Sequence, residues 1–215
     1  MIRYDRNLRV AALCFAALAG FVDSIGFLKS GGLFVSFMSG NSTRLAVGIV
    51  QATTTGLAAA ALIALFVLGV TLNVLVASSI FVMHRKVTAT AGVAALLLAA
   101  ASFQSLGWDL ATIAALCLAM GASNTIFQRE GEVSIGVTYM TGTLVRLGHR
   151  LADAARGGSR TAWISYLLLW LSLVLGGIVG AVGYSWSATA SLWLAALLAI
   201  GLVGVVKRLT MNLAS

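Results

Sequence analysis

Residues 35–45 read VSFMSGNSTRL, and residues 137–147 read VTYMTGTLVRL, so the chain contains the same motif twice, 102 positions apart. Five of the eleven positions are identical, and three more exchange Ser for Thr or Phe for Tyr. Just upstream, Asp23 is matched by Asn124. A repeat that keeps glycine, hydroxyl and arginine residues in an apolar chain indicates an internal duplication around a functional site.

The composition of the chain is that of a membrane protein. Apolar residues make up 60% of its 215 residues and charged residues 9%, and the mean hydropathy is +1.01. The net charge of +8 comes from basic residues at the ends of apolar runs. This distribution favours cytoplasmic loops over nucleic-acid binding, so we expect the lipid bilayer, not a nucleic acid, as the partner.

Six apolar runs are long enough for a membrane-spanning helix of about 20 residues. They form two sets of three, which predicts an all-α membrane protein built from a first repeat, residues 1–107, and a second repeat, residues 108–215. The six predicted spans cover residues 9–29, 56–83, 87–106, 109–129, 161–184 and 187–206.

The repeated motif lies in two segments, residues 31–52 and 133–154, each between the first and second span of its repeat. Each segment begins with glycine and β-branched or aromatic residues and becomes helical after Ser-Gly-Asn or Thr-Gly-Thr. That order is typical of an extended stretch, a helix N-cap and a short helix. The expected capping residues are Ser39, Asn41 and Thr43 in the first copy, and Thr141 and Thr143 in the second.

Two topologies are open. If the motif segments enter and leave the membrane by one face, six spans place most basic residues in the cytoplasm with the N-terminus, and Lys29 outside. If the segments cross, eight spans move Arg85, Lys86 and Arg129 outside, which the positive-inside rule disfavours. We therefore expect six spans and two re-entrant segments. Because three spans per repeat is an odd number, the repeats would have inverted orientation and their motifs would meet near the midplane.

The motifs hold the candidate solute-binding residues. Arg44 and Arg146 each follow the motif glycine by four residues, and a guanidinium near a helix N-terminus is suited to an anion. Alternatively, Arg44 snorkels or pairs, and Arg146 lies on a cytoplasmic amphipathic face. Aromatic candidates are cavity walls or packing residues. The other candidates are Phe37, Ser39, Gly40, Asn41, Thr43, Tyr139, Thr141, Gly142 and Thr143.

Asp23 is the acidic residue within the first apolar run. A carboxylate in the membrane is costly unless it is paired, protonated or hydrated. Asp23 therefore either neutralises Arg44, couples a proton or a cation to transport, or marks an exposed helix end. The candidate coupling positions are Asp23 and Asn124, which occupies the equivalent place in the second repeat. If one proton is coupled to transport, this asymmetry predicts that Asp23 carries it.

No catalytic constellation is visible in the sequence, and we expect no enzyme activity, metal ion or cofactor. Cys14 and Cys117 fall inside apolar runs, where thiols pack as small apolar groups. Gly176 and Gly180 form a Gly-xxx-Gly surface for close helix contact, either within the molecule or in a homodimer.

The stretches AGFVDSIGF at residues 19–27 and GLFVSFMSGNST at residues 32–43 resemble the signature of the YoaK family. The resemblance extends over the whole chain in length and helix layout. It implies a small multi-pass protein of the bacterial inner membrane, with transport as the suspected role and no named substrate. The residues themselves predict a transporter or facilitator for a small anionic solute. The alternatives are a passive channel and a non-transport scaffold or sensor.

Overall fold

The computed structural model describes residues 6–79, 85–129, 132–133 and 136–212. This part of the chain consists of helices joined by turns and irregular segments, with one antiparallel pair of two-residue strands, β1 (Gln128–Arg129) and β2 (Glu132–Val133). The helices are α1 (Arg6–Lys29), α2 (Met38–Val50), α3 (Thr54–Ser78), α4 (Arg85–Ser105), α5 (Asp109–Ser123), α6 (Met140–Ala155), α7 (Ile164–Trp186) and α8 (Ala188–Asn212).

Five of the described helices, α1, α3, α4, α7 and α8, are long and apolar enough to cross a membrane. The predicted span over residues 109–129 is wrong in extent, because α5 ends at Ser123. Its 15 residues measure about 22 Å, less than the roughly 30 Å of a hydrocarbon core. Residues 80–83, which belong to the second predicted span, lie outside the described residues.

Three consecutive polar residues explain why α5 stops where α1 continues. The Ser123 hydroxyl and the Asn124 amide both donate to the carbonyl of Met120, and the Thr125 hydroxyl donates to that of Ala122. Short polar side chains that bond to nearby carbonyls compete with the helical pattern and favour helix ends. The chain then turns and enters β1.

The first helix of each repeat packs against the middle long helix of the other repeat, α1 on α7 and α5 on α3. A Cβ atom on Gly20 would overlap the carbonyl of Leu173, and a Cβ atom on Gly121 would overlap the carbonyl of Phe66. These four residues occupy equivalent positions in the two repeats, and the missing side chains let the helix backbones touch. The same equivalence relates the close contact of Gly176 with Ala17 to that of Gly69 with Leu118.

The close contacts also give the helix directions. Along each pair the contacting residues advance together, so α7 runs parallel to α1 and α3 runs parallel to α5. An ion pair between Lys29 and Asp109 joins the last residue of α1 to the first residue of α5. A hydrogen bond of 3.1 Å from Trp193 to Ser105 joins the start of α8 to the end of α4. Thus α1 and α5 run in opposite directions, as do α4 and α8.

The helix starts and ends define two ends of the bundle. We call the end that carries Arg85, Lys86, Lys207 and Arg208 the basic end, and the end that carries the Lys29–Asp109 pair the opposite end. The apolar core lies between them, among α1, α4, α5 and the inner faces of α3, α7 and α8. Its largest fully buried side chains include Phe15, Ile25, Leu97, Leu116, Met120 and Leu192.

Candidate functional site

The chain reverses direction where α1 ends. Gly31 and Gly32 have φ values of 70° and 104°, in the left-handed region that glycine adopts without strain. The Ser30 hydroxyl accepts a hydrogen bond from the N–H of Leu33 at 3.0 Å and donates to its carbonyl at 2.8 Å. Residues 33–37 consequently run back alongside α1, toward the interior of the bundle.

Asp23 holds this returning segment. Its Oδ1 atom accepts hydrogen bonds from the backbone N–H of Val35 at 3.1 Å and of Ser36 at 2.7 Å. Asp23 is 7% exposed and lies six residues before Lys29, about 9 Å below the end of α1. Because a non-helical segment in apolar surroundings needs acceptors for its N–H groups, the carboxylate supplies what a helix would otherwise provide.

Asn41 holds the same segment from the other side. Its Oδ1 accepts from the N–H of Phe34 at 3.0 Å, and its Nδ2 donates to the carbonyl of Phe34 at 2.6 Å. The side chain of Asn41 is completely buried. Asn41 therefore fixes the backbone, and in this conformation both ends of its amide are occupied by the chain itself.

The prediction of a side-chain N-cap is wrong for both motif helices. In the described residues α2 begins at Met38 after Phe37, and α6 begins at Met140 after Tyr139, with no side-chain hydrogen bond from either flanking residue. The five expected caps lie inside the helices instead. The hydroxyl groups of Thr43 and Thr143 donate to carbonyls four residues earlier.

The short helix α2 leads the chain back to the opposite end. It packs along α3, and the two helices touch where a Cβ atom on Gly48 would overlap the backbone of Gly56. A turn at residues 51–53 joins them. The first motif thus enters the bundle as an extended segment, starts a helix beside Asp23 and returns to the end from which it came.

The second motif is attached at equivalent positions by different chemistry. The Thr138 hydroxyl donates to Asn124 Oδ1 at 2.9 Å, and Asn124 Nδ2 donates to the carbonyl of Met120 at 3.0 Å. Thr138 and Asn124 correspond to Ser36 and Asp23 of the first repeat. Both attachments are buried, but only the first contains an ionisable group.

Each motif helix has a different main neighbour among the described residues. Helix α2 packs mainly on α3 and helix α6 on α7, so the predicted meeting of the two motifs is not seen in the described contacts. Gly40 packs on the ring of Phe34, and Phe37 is half-buried beside the same ring. The candidates with exposed side chains or backbone are Ser39, Thr43, Tyr139, Thr141, Gly142 and Arg146, and the buried ones are Asp23, Asn41, Asn124 and Thr143.

Arg44 lies over two aromatic rings. Its guanidinium carbon is 5.9 Å from the ring centre of Phe27 and 5.6 Å from that of Phe34, and the residue is half-buried. The alternative of an ion pair with Asp23 is not seen among the described residues: Asp23 Oδ1 binds backbone N–H groups, and Arg44 lies over the two rings. Since Phe27 lies two residues from the end of α1, Arg44 sits near the opposite end and not at the midplane.

Two buried polar residues were missed by sequence reasoning. The Ser36 hydroxyl lies beside the Asp23 carboxylate but makes no hydrogen bond of acceptable geometry in the described structure. Its place in the repeated motif was the available signal. Asn73, on α3, donates to the carbonyl of Ala122 at 3.2 Å and to the Thr125 hydroxyl at 2.8 Å. Asn73 lies outside the repeated motif, and the available signal was a polar amide within an apolar run.

The described residues do not bring together three His, Cys, Asp or Glu side chains that could hold a metal ion. Cys117 is buried and its thiol donates to the carbonyl of Leu62 at 3.0 Å, whereas Cys14 is exposed. The close contacts of Gly176 and Gly180 with α1 are made within one chain.

Fold and site together define a multi-pass membrane protein whose helix bundle is interrupted by two motif segments. The chain belongs to the family described as protein of unknown function (DUF1275), which matches residues 11–205. It is 37% identical to the UPF0700 transmembrane protein RA0705 of Rhizobium meliloti (strain 1021) over 191 residues, which cover 89% of this chain and 81% of that protein. No solved structure matches the chain.

Proposed function

We propose that this protein is a carrier for a small anionic solute in the bacterial inner membrane, as its resemblance to the YoaK family also suggests. The observation that carries the proposal is the unpaired guanidinium of Arg44. The solute would bind there, near the opposite end, with the first motif forming the floor of the site.

The surroundings of Arg44 suit an anion. Two aromatic faces hold the guanidinium plane through cation–π contact, and its N–H donors have no acceptor among the described residues. Gly32 leaves the group uncovered on one side, because a Cβ atom there would be 3.4 Å from Nη1. A carboxylate or phosphate can accept two of these donors on two separate oxygens, a bidentate geometry that matches the guanidinium fork better than a single chloride ion does.

The helix directions support an inverted repeat. Equivalent helices α1 and α5 run in opposite directions, and the Gly20–Leu173 and Gly121–Phe66 contacts make each repeat pack on the other in the same way. In this proposal α5 is the shortened sixth crossing. The positive-inside rule then assigns the basic end and the N-terminus to the cytoplasm. Paired broken segments that enter from opposite faces are a recurring architecture of secondary transporters.

Asp23 is the proposed coupling residue. Protonation would remove the charge from the carboxylate that holds the N–H groups of Val35 and Ser36, and so would loosen the extended segment below Arg44. Asn124 cannot change its charge, so the second motif stays fixed. Proton binding at one copy can thereby change the shape of the solute site.

Purified protein should be screened by thermal unfolding against small carboxylates, inorganic anions, nucleobases and amines. We expect an anion to raise the unfolding temperature of the wild type, no rise for Arg44→Ala, and a reduced rise for Arg44→Lys. Arg208→Ala, which removes an exposed arginine at the basic end, should respond like the wild type. Stabilisation that Arg44→Ala leaves unchanged would refute the proposed site.

Carrier and channel are separated in liposomes. A carrier preloaded with unlabelled solute accelerates entry of labelled solute, because the loaded site returns through the membrane. A pore gives no such counterflow. Uptake without saturation or counterflow would replace the carrier with a channel, and no uptake of any stabilising ligand would favour a sensor.

A further inference from the structure

The basic end contains a crevice that the proposed function does not use. It lies where the start of α1, the start of α4 and the end of α8 meet the turn that follows α5. Five apolar side chains, Leu8, Ile126, Phe127, Val206 and Leu209, line most of it, and Lys86 is the charged residue in its wall.

Lys86 has no counter-ion among the described residues that line this crevice. Its side chain is half-buried, and no hydrogen bond or ion pair of its ammonium group occurs in the described structure. Neither α4 nor α8 contains an acidic residue, so the two helices cannot neutralise it. Its neighbours at this end, Arg85, Lys207 and Arg208, are exposed and also positive. An unpaired ammonium in an apolar wall favours a ligand that supplies both negative charge and hydrocarbon.

Two exposed apolar side chains adjoin the crevice wall. Val10 on α1 is 52% exposed and precedes Ala11 of the crevice wall. Val205 on α8 is 44% exposed and precedes Val206 of the wall. An acyl chain could follow this apolar surface while its headgroup reaches Lys86. Basic pockets between transmembrane helices are known binding places for anionic phospholipid headgroups.

We propose that this crevice binds one anionic phospholipid, with the headgroup phosphate at Lys86 and the acyl chains along α1 and α8. The lipid would bridge the first helix of one repeat and the last helix of the other. This site is independent of Arg44, which lies near the opposite end.

The test compares phosphatidylglycerol with phosphatidylcholine added to the delipidated, detergent-purified protein. We expect phosphatidylglycerol to raise the unfolding temperature by about 2–4 °C more than phosphatidylcholine does, and native mass spectrometry to show one retained molecule. Lys86→Gln should lose the difference. Lys207→Gln, an equal charge change at an exposed position of the same end, should keep it. If both variants lose the preference for phosphatidylglycerol equally, the preference comes from general surface charge and the proposal is overturned.

A second variant distinguishes the contribution of the apolar crevice wall from that of the Lys86 charge. Leu209→Trp keeps Lys86 but fills the apolar wall, and should abolish the preference for phosphatidylglycerol while the protein stays monodisperse. It also decides the matter if Lys86→Gln does not fold. Soluble glycerol phosphate, which lacks acyl chains, should have no effect. A response to glycerol phosphate equal to that of the lipid, or a full lipid response in Leu209→Trp, would contradict a phospholipid site.

Discussion

The Asp23 carboxylate accepts a hydrogen bond from the backbone N–H of Ser36 at 2.7 Å, and so ties the interior part of α1 to a segment that has no helical partner of its own. In the second repeat, Asn124 and Thr138 hold the same two positions and are joined through their side chains at 2.9 Å. The two repeated segments share the place of this attachment but not its charge. The attachment in the first repeat therefore contains an ionisable group, and the equivalent attachment in the second repeat is neutral.

Substitutions at Asp23 should distinguish its role as a hydrogen-bond acceptor from the effect of its negative charge. Asp23→Asn keeps an oxygen acceptor for the N–H groups of Val35 and Ser36 and should cost less than about 1 kcal/mol, whereas Asp23→Leu leaves both unsatisfied and should cost about 2–5 kcal/mol. Thermal unfolding in detergent measures the difference. Equal losses in the two variants would mean that the charge itself stabilises the fold. Asp23→Asn should also abolish any pH dependence of uptake.

Asn41→Ala should destabilise the protein by about 2–4 kcal/mol, because the N–H and the carbonyl of Phe34 both lose their buried partner. The free energy of opening measured by hydrogen exchange at the Phe34 amide should fall by a similar amount. Ser42→Ala is the matched control, since its exposed hydroxyl bonds only to the carbonyl of Met38, and should change stability by less than about 0.5 kcal/mol. If both variants behave alike, the amide of Asn41 does not hold the segment.

Glycine substitutions test the equivalence of the two helix pairs. Gly176→Ala and Gly69→Ala each place a methyl group against the backbone of the facing helix, at Ala17 and Leu118 respectively, and should lower the unfolding temperature by similar amounts. Gly201→Ala meets open space and should be neutral or stabilising by up to about 1 kcal/mol. A large loss in only one of the two pairs would show that the repeats contribute unequally.

Cysteine labelling tests the re-entrant path of the first motif. Val50 ends α2, is 86% exposed and adjoins the turn that joins α2 to α3. In cells carrying Cys14→Ala, Val50→Cys should react with an impermeant thiol reagent from outside. Leu106→Cys, which lies at the same end of the bundle as Val50, should react in the same way. Lys207→Cys should require permeabilised cells. Reaction of Val50→Cys only after permeabilisation would mean that the first motif crosses the membrane.

Asn73 on α3 is predicted to stabilise the contact of α3 with α4 and α5. Asn73→Ala removes the donor shared by Ala89, Ala122 and Thr125 and should cost about 2–4 kcal/mol. Thr71→Ala is the control: Thr71 lies two residues away on the same helix with an exposed hydroxyl bonded within that helix, and the change should be nearly neutral. Thermal unfolding of both variants checks the expectation, and an undisturbed Asn73→Ala would contradict it.

The sequence alone determined the membrane class and the approximate positions of the long helices, and it predicted the duplication. Apolar runs and glycine breaks are local properties. Five long helices lie close to where the runs predicted them, α2 lies inside the first motif segment, and α6 ends one residue beyond the second. The pairing of Asp23 with Asn124 as equivalent positions also came from the repeat. These features need no knowledge of which helices are neighbours.

Only the tertiary structure decided what the motif side chains do. Whether Asn41 binds a solute or the backbone of Phe34 depends on how the chain folds back after Lys29, and whether Arg44 pairs with Asp23 depends on the rings beside it. The length of α5 likewise follows from side-chain bonds at its end and not from its hydropathy. A buried polar group takes whichever partner the packed chain presents, so its role is set by contacts that the order of residues does not reveal.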